Sequence, residues 1–248
     1  MNNNLTKQRK VNILGVRVDN LALETAVEEV EELVTAEGQL VVTPNPEMIM
    51  EAQRDCRLRE ILNSAQLALP DGIGVVWAAR ILGRPLLERV AGIDLVQELL
   101  ARGAKAGYNF YFLGAKPGIA EQAKEHVNQQ YPQLTIHTHH GYLDRAEERQ
   151  VIQDINRRAI DILLVGMGTP RQEKWLAYHL PHLTVGVGMG VGGAFDVLAG
   201  EKKRAPQVLQ ELSLEWLYRL YQEPRRWRRM INLPLFMYYV GRQKLNIG

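Results

Sequence analysis

Asp161-Ile-Leu-Leu-Val165 runs directly into Gly166-Met-Gly168-Thr-Pro170-Arg-Gln172-Glu173. Its near-continuous apolar run reads as a strand buried on both faces, the type found inside parallel sheets. The glycines turn the chain, and Pro170 suits the first turn of a helix reaching about Leu180. The same grammar recurs upstream, where Phe110-Tyr-Phe-Leu113 passes through Gly114-Ala-Lys-Pro-Gly118 into a helix over Ile119–Tyr131. A strand at Leu134–Thr138 and a helix at Ala146–Ala159 lie between the two junctions, and Thr184–Val187 is the last clear strand.

Working back toward the start, Val11–Val18 has strand character and Leu21–Thr35 has apolar residues at helical spacing. Gln39–Thr43 is a strand cut off by Pro44 and Pro46, and Glu47–Leu62 reads as one helix. A short buried strand beginning at Leu67 stops at Pro70 and presents Asp71 on a glycine turn. A helix over Val75–Leu82, a loop over Arg84–Gly92 and a helix over Ile93–Ala104 follow. Alternating strands and helices predict an α/β fold with a mostly parallel, doubly wound, Rossmann-like sheet. Right-handed crossovers would bring the turns at 114, 168 and 190 to one sheet edge. The expected division is a flexible tail over 1–10, an α/β core over 11–206 and a helical C-terminal appendage over 207–248.

Composition narrows the function. The chain has 248 residues, 46% hydrophobic and 23% charged, with a formal net charge of only +2, so overall charge names no partner. The single cysteine, Cys56, excludes an internal disulfide and a cysteine-built metal site. Met1–Lys10 has no apolar core and no run approaches the roughly 18–20 apolar residues of a membrane span. These features predict a soluble or peripheral protein of the cytoplasm.

Several stretches can carry chemistry, and each has a plainer reading beside it. Asp71 is an acid at the carboxyl end of a strand next to glycines, where open α/β folds place chemistry, or it caps the next helix. Gly114–Gly118 can cradle a phosphate at a helix start, or it is an ordinary turn; it matches neither G-x-G-x-x-G nor a Walker loop. Gly168 to Glu173 sets an amide, a carboxylate and an arginine in one helical turn, or supplies capping and surface charge. Gly190 to Asp196, with Lys203 and Arg204, is a glycine-rich approach beside charges, or a solvated loop. His137, His139 and His140 lack an acidic partner at useful spacing and read as solvated or structural, so no metal is expected. Arg225, Arg226, Arg228 and Arg229 flank Trp227 and precede the apolar Leu233–Val240. That mixture suits anionic headgroups beside acyl chains better than nucleic acid, or it marks a helix packed on the domain or on a second subunit.

Taken in order, Thr43-Pro-Asn45-Pro, Pro70-Asp71-Gly72-Ile-Gly74, Glu88-Arg89-Val-Ala-Gly92, Gly168-Thr-Pro-Arg-Gln172-Glu173 and Lys203-Arg204-Ala-Pro206 resemble one family. It is the WecG/TagA/CpsF family of bacterial glycosyltransferases, glycosyltransferase family 26, and the likeness spans about residues 11 to 230. The resemblance implies transfer of N-acetylmannosamine or a related sugar from a UDP donor to a polyprenyl-diphosphate-linked sugar at the inner face of the cytoplasmic membrane. The family's best-described reaction builds the linkage unit of wall teichoic acid. The resemblance puts the catalytic base on Asp71 and further site residues on Thr43, Asn45, Arg89 and Gln172. It also implies that the appendage closes over the site with Arg219, Arg226 and Arg229, which keep the family's spacing of seven then three.

Residue chemistry agrees with that assignment. Inverting transfer needs one base for the attacking hydroxyl, and Asp71 serves if burial beside Leu67 and Leu69 raises its pKa. With no D-x-D pair to hold a metal, arginines and helix-terminal N–H groups must carry the charge of departing UDP. Gly114, Gly118, Gly168, Glu173 and Asp196 are the expected substrate-binding positions beside the appendage arginines. The UDP-sugar is a substrate, so no cofactor is expected, and nucleic acid is not a partner. An undocked appendage would expose apolar surface and drive self-association into a homo-oligomer. Two other readings use the same architecture: a dehydrogenase, which would want G-x-G-x-x-G, and a nucleotide-binding or membrane-scaffold module, which would not need Asp71.

Overall fold

The computed structural model describes residues 9–206, 208–209, 214–222 and 232–245. The described chain opens with a two-stranded hairpin, β1 (Lys10–Ile13) and β2 (Val16–Asp19). The single strand expected over 11–18 is broken because Leu14 and Gly15 both take positive φ, 50° and 81°, in a tight reversal. Asn12 secures it, its Oδ1 accepting from the Gly15 amide at 3.0 Å.

Six parallel strands follow: β3 (Gln39–Val42), β4 (Leu67–Ala68), β5 (Asn109–Gly114), β6 (Thr135–His139), β7 (Ile160–Gly166) and β8 (Val185–Gly190). Their order across the sheet is β4-β3-β8-β7-β5-β6. Successive side chains feed opposite faces, which is why the strands read as unbroken apolar runs. Phe110 and Phe112 pack on one face, Tyr111 and Leu113 on the other.

The Phe110 face is covered by α1 (Leu23–Val34), α5 (Gly92–Ala106), α6 (Ile119–Gln130) and α9 (Ala194–Leu198). The Tyr111 face is covered by the hairpin, α2 (Pro46–Glu51), α3 (Cys56–Ser64), α4 (Ile73–Ile81), α7 (Arg145–Arg157), α8 (Arg171–His179) and a C-terminal helix. Chain order makes α10 the helix Glu215–Gln222 and α11 the helix Asn232–Lys244. Strand β5 sends its helix α6 to one face and β7 sends α8 to the other. The crevice between β5 and β7 is therefore the switch point where doubly wound sheets bind ligands.

Local chemistry sets two boundaries that periodicity missed. The helix expected over 47–62 is two helices, because Asp55 restarts the chain as an N-cap, its side chain accepting from the Leu58 amide at 3.0 Å. Residues after Gly190 form a short helix rather than an open loop, since Phe195 is fully buried and stacks on Phe112 with ring centroids 5.0 Å apart. A capping box at Asp144 and Glu147 starts α7 as the sequence suggests a helix there.

Helix α11 completes the Tyr111 face by inserting Phe236 and Val240 into the core beside α2 and α4. Gln243 clasps it to the hairpin: its Oε1 accepts from the Leu14 amide at 2.9 Å and its Nε2 donates to the Asn12 carbonyl at 3.1 Å. The opposite side of the helix leaves Tyr238 60% exposed. Among the described residues no helix is long and apolar enough to cross a membrane.

Candidate functional site

The carboxyl ends of the strands form one edge, and pairing fixes the order of residues along it. Val42 pairs with Ala68, Val41 with Met189, Val165 with Gly190, and Gly114 with Gly166. Reading across, the edge presents Asp71, Thr43, the Gly190 turn, the Gly166 turn and the Gly114 turn. Strands about 4.8 Å apart put the Asp71 end roughly 14 Å from the Gly166 end.

At the Asp71 end three segments converge. The Asp71 amide donates to the Pro44 carbonyl at 3.0 Å, joining the exits of β3 and β4, and Asp71 itself is half-buried. Val90 donates to the Pro70 carbonyl at 2.9 Å, which fastens the loop carrying Arg89 to the same strand end. A Cβ on Gly92 would stand 3.4 Å from the Thr43 hydroxyl oxygen, so that loop passes directly over buried Thr43. Strand β4 is itself held by the buried Asp19, whose carboxylate accepts from the Ala68 amide at 2.8 Å with Lys10 3.6 Å away. Asn45 caps α2, its Oδ1 accepting from Met48 at 2.9 Å with Pro46 in the first turn. The capping position of α4 is Gly72 at φ 89°, one residue beyond Asp71.

At the switch point the turns close on one another through glycine. Gly114, at φ 156°, has no room for a side chain because a Cβ would lie 2.5 Å from the Gly166 carbonyl oxygen. Ala115 donates to that oxygen at 2.9 Å and accepts from Gly141 at 3.0 Å. Above this floor the backbone is open: among the described residues nothing lies within 4 Å of where a Cβ would sit at Gly118, Gly168 or Gly192. An anionic ligand can approach those positions closely, and Gly118 opens the twelve-residue helix α6.

Gln172 and Glu173 lie beneath the open turns. Gln172 Oε1 accepts from the amides of Gly168 at 3.1 Å and Gly192 at 3.0 Å, so one side chain ties the β7 turn to the β8 turn. Its Nε2 donates to Glu173 Oε1 at 2.7 Å. Glu173 is only 1% exposed, its Oε1 also accepting from the Thr169 hydroxyl at 3.3 Å. Burial pushes the Glu173 carboxyl above its ordinary range, against the lowering effect of the Gln172 and Thr169 hydrogen bonds. Asp196, on α9, is half-buried with Lys202 3.7 Å away. Ala91 and Ile93 share a small apolar cluster with Ala194, which connects the Arg89 loop to the Asp196 helix.

Arg89 meets a partner that sequence reasoning did not single out. Its Nη1 donates to Glu215 Oε2 at 3.0 Å, and Arg204 Nε stands 3.9 Å from the other carboxylate oxygen. The only sequence signal was Arg204, within the Lys203–Pro206 motif. Arg226 and Arg229 lie outside the described residues, as does the side chain of Arg219, whose backbone belongs to α10. The edge thus brings together Thr43, Asn45, Asp71 and the Arg89 loop at one end, and Gly114, Gly168, Gln172 and Glu173 at the switch point.

The histidines take local partners. His137 Nδ1 accepts from Arg158 at 2.9 Å, and burial and that cation hold its pKa below the ordinary value. The rings of His139 and His140 lie 4.4 Å apart at the end of β6. Among the described residues no three His, Cys, Asp or Glu side chains gather where they could hold a metal ion.

Comparison with known proteins gives the same answer from two directions. The family described as "Glycosyl transferase WecG/TagA/CpsF family" matches residues 11–247. The N-acetylglucosaminyldiphosphoundecaprenol N-acetyl-beta-D-mannosaminyltransferase of Staphylococcus aureus strain MW2 is 36% identical over 241 residues, covering 96% of this chain and 94% of that protein. The protein of the same name from strain NCTC 8325 matches with the same identity and coverage. A doubly wound sheet with an acid at one end of its ligand edge and open glycine turns at the switch point fits that match, and the chain belongs to the WecG/TagA/CpsF family of glycosyltransferases.

Proposed function

We propose that the chain transfers N-acetylmannosamine from a UDP donor to N-acetylglucosamine carried on a polyprenyl diphosphate, with inversion and without a metal ion. The names of its relatives supply the sugar and the acceptor. The observation that carries the reading is the position of Asp71, half-buried at the exit of β4 and joined by backbone hydrogen bonds to the segments bearing Thr43 and Arg89.

In this reading the nucleotide lies over the open backbone at Gly118, Gly168 and Gly192, toward Asp196, and the sugar reaches the Asp71 end. Asp71 accepts the proton of the acceptor hydroxyl as that oxygen bonds to the anomeric carbon. The bond from the same carbon to the diphosphate breaks, and UDP leaves with the electron pair. Arg89, the appendage arginines and helix-terminal N–H groups balance the charge on the leaving group. Thr43 and Asn45 flank the reacting atoms, and Gln172 keeps the two nucleotide turns in register.

A lipid-linked acceptor calls for contact with the inner face of the cytoplasmic membrane. Helices α4 and α11 pack together and, with the residues just after them, expose Trp77, Ile81, Tyr238 and Leu245 with Arg80, Arg84 and Lys244, a combination suited to an anionic bilayer interface.

The test is UDP release from a panel of UDP-sugars with a GlcNAc-diphosphate-lipid acceptor, with EDTA present. Acceptor-dependent release from UDP-ManNAc, abolished in Asp71→Asn, is the expected result. Release that requires added divalent metal would remove the metal-free mechanism. Nucleotide binding without release from any donor would remove the transferase reading of this site.

A further inference from the structure

Four charged side chains alternate in sign between the core and α10. Arg89 donates to Glu215 at 3.0 Å, Arg204 Nε stands 3.9 Å from the second oxygen of Glu215, and Arg204 Nη1 pairs with Asp94 at 2.5 Å. Glu215 is 5% exposed, and Arg204 Nε is buried without a hydrogen-bond acceptor among the described residues. The charges link the Arg89 loop and the adjoining first turn of α5 to Arg204 and to Glu215, the first residue of α10, which lies 126 residues beyond Arg89.

We propose that Glu215 is a positioning residue for sugar transfer: it holds the Arg89 guanidinium at the Asp71 end of the crevice and seats α10 against that end. The proposal rests on the transferase reading above and assigns roles to Glu215 and Arg204 within it.

The chemistry requires an acid at this place. Two guanidinium groups crowd a mostly buried site, and without Glu215 they would face each other with Asp94 as the remaining counter-charge among the described residues. Arg89 has five N–H donors, and a carboxylate that fixes the plane of its fork leaves others for an anionic ligand. A negative side chain also suits the first turn of α10, where the helix dipole favours it. Glu215 thereby couples two events. Docking of α10 orients Arg89, and the same docking brings the helix that carries Arg219, four residues further on, to the site.

A double-mutant cycle on kcat/KM, using Glu215→Ala, Arg89→Ala and the double variant, tests the coupling. Each single change is expected to lower transfer at least tenfold, with the double variant within about twofold of Arg89→Ala alone. Multiplying losses would mean that Glu215 acts independently of Arg89 and would overturn the proposal. Hydrogen exchange of residues 215–222 gives a readout that needs no activity. Glu215→Gln is expected to speed exchange there while leaving the sheet at wild-type rates, and unchanged exchange would overturn the seating of α10. Wild-type protein inactive on every donor would instead remove the transferase reading, and the exchange result would still stand or fall separately.

Discussion

Gln172 donates from its side-chain amide to the buried Glu173 carboxyl at 2.7 Å, and this bond aims the other end of Gln172 at the amides of Gly168 and Gly192. One side chain therefore sets the distance between the two glycine turns at the switch point. Its fit depends on Gly190, where a Cβ would stand 2.6 Å from Gln172 Nε2.

Replacing Gln172 by Ala leaves both amides without their acceptor. An unsatisfied buried group costs about 1–3 kcal/mol, and because both contacts are part-buried the sum falls near the lower end, about 2 kcal/mol. Urea unfolding measures that loss. UDP affinity should fall further than stability does, because the loosened turns are the ones proposed to receive the nucleotide.

The raised pKa of Glu173 has a definite sign for stability. Folding favours the protonated carboxyl, so the folded chain binds more protons than the unfolded one from the ordinary value of 4.5 upward. Its contribution is complete below that pH and declines as pH rises through the folded-state value. Glu173→Gln removes this titration. The melting temperature of the variant should therefore improve relative to wild type as pH rises, and parallel curves would show that Glu173 does not titrate in this way.

Phe236 separates an integrated helix from a loosely attached one. It is fully buried, and Phe236→Ala should cost about 3–5 kcal/mol with one cooperative transition retained. A change below about 1 kcal/mol would mean that α11 contributes little to the core.

Asn45 combines a structural and a proposed chemical duty, and a single substitution divides them. Asn45→Asp keeps the oxygen that accepts from Met48, so stability should stay within about 0.5 kcal/mol, since both residues cap well. Transfer should nevertheless fall at least tenfold, because the side-chain N–H donors are gone and a negative charge is added beside Asp71. Equal activity of the two proteins would reduce Asn45 to a cap.

Much of this arrangement is readable in the chain because backbone grammar is local. The runs 110–113 and 161–165 announce buried parallel strands, and glycine turns after them announce the ligand edge. What periodicity cannot report is a two-residue reversal inside an apolar pattern, as at Leu14–Gly15, or a new helix start inside a helical pattern, as at Asp55. The partners of Gln172 and Arg89 were hidden for a different reason. Gly192 lies 20 residues from Gln172 and Glu215 lies 126 from Arg89, so only tertiary packing creates those pairs. The apolar stretch Leu233–Val240 looked uniform in sequence, yet in the fold Phe236 and Val240 face the core while Tyr238 and Tyr239 face outward.

The clasp between Gln243 and the hairpin also sets a timetable. Leu14 and Gln243 are 229 residues apart, and a ribosome adding about 5–20 residues per second separates them by roughly ten to fifty seconds. During that interval the hairpin and the helices around Gly74 have no cover where Phe236 will sit, and Leu233 has yet to approach Gly74. The nascent chain thus carries an unsealed apolar seam until its last helix emerges. Chaperone demand during synthesis should concentrate on that seam, and slowing translation should lengthen the exposure in proportion.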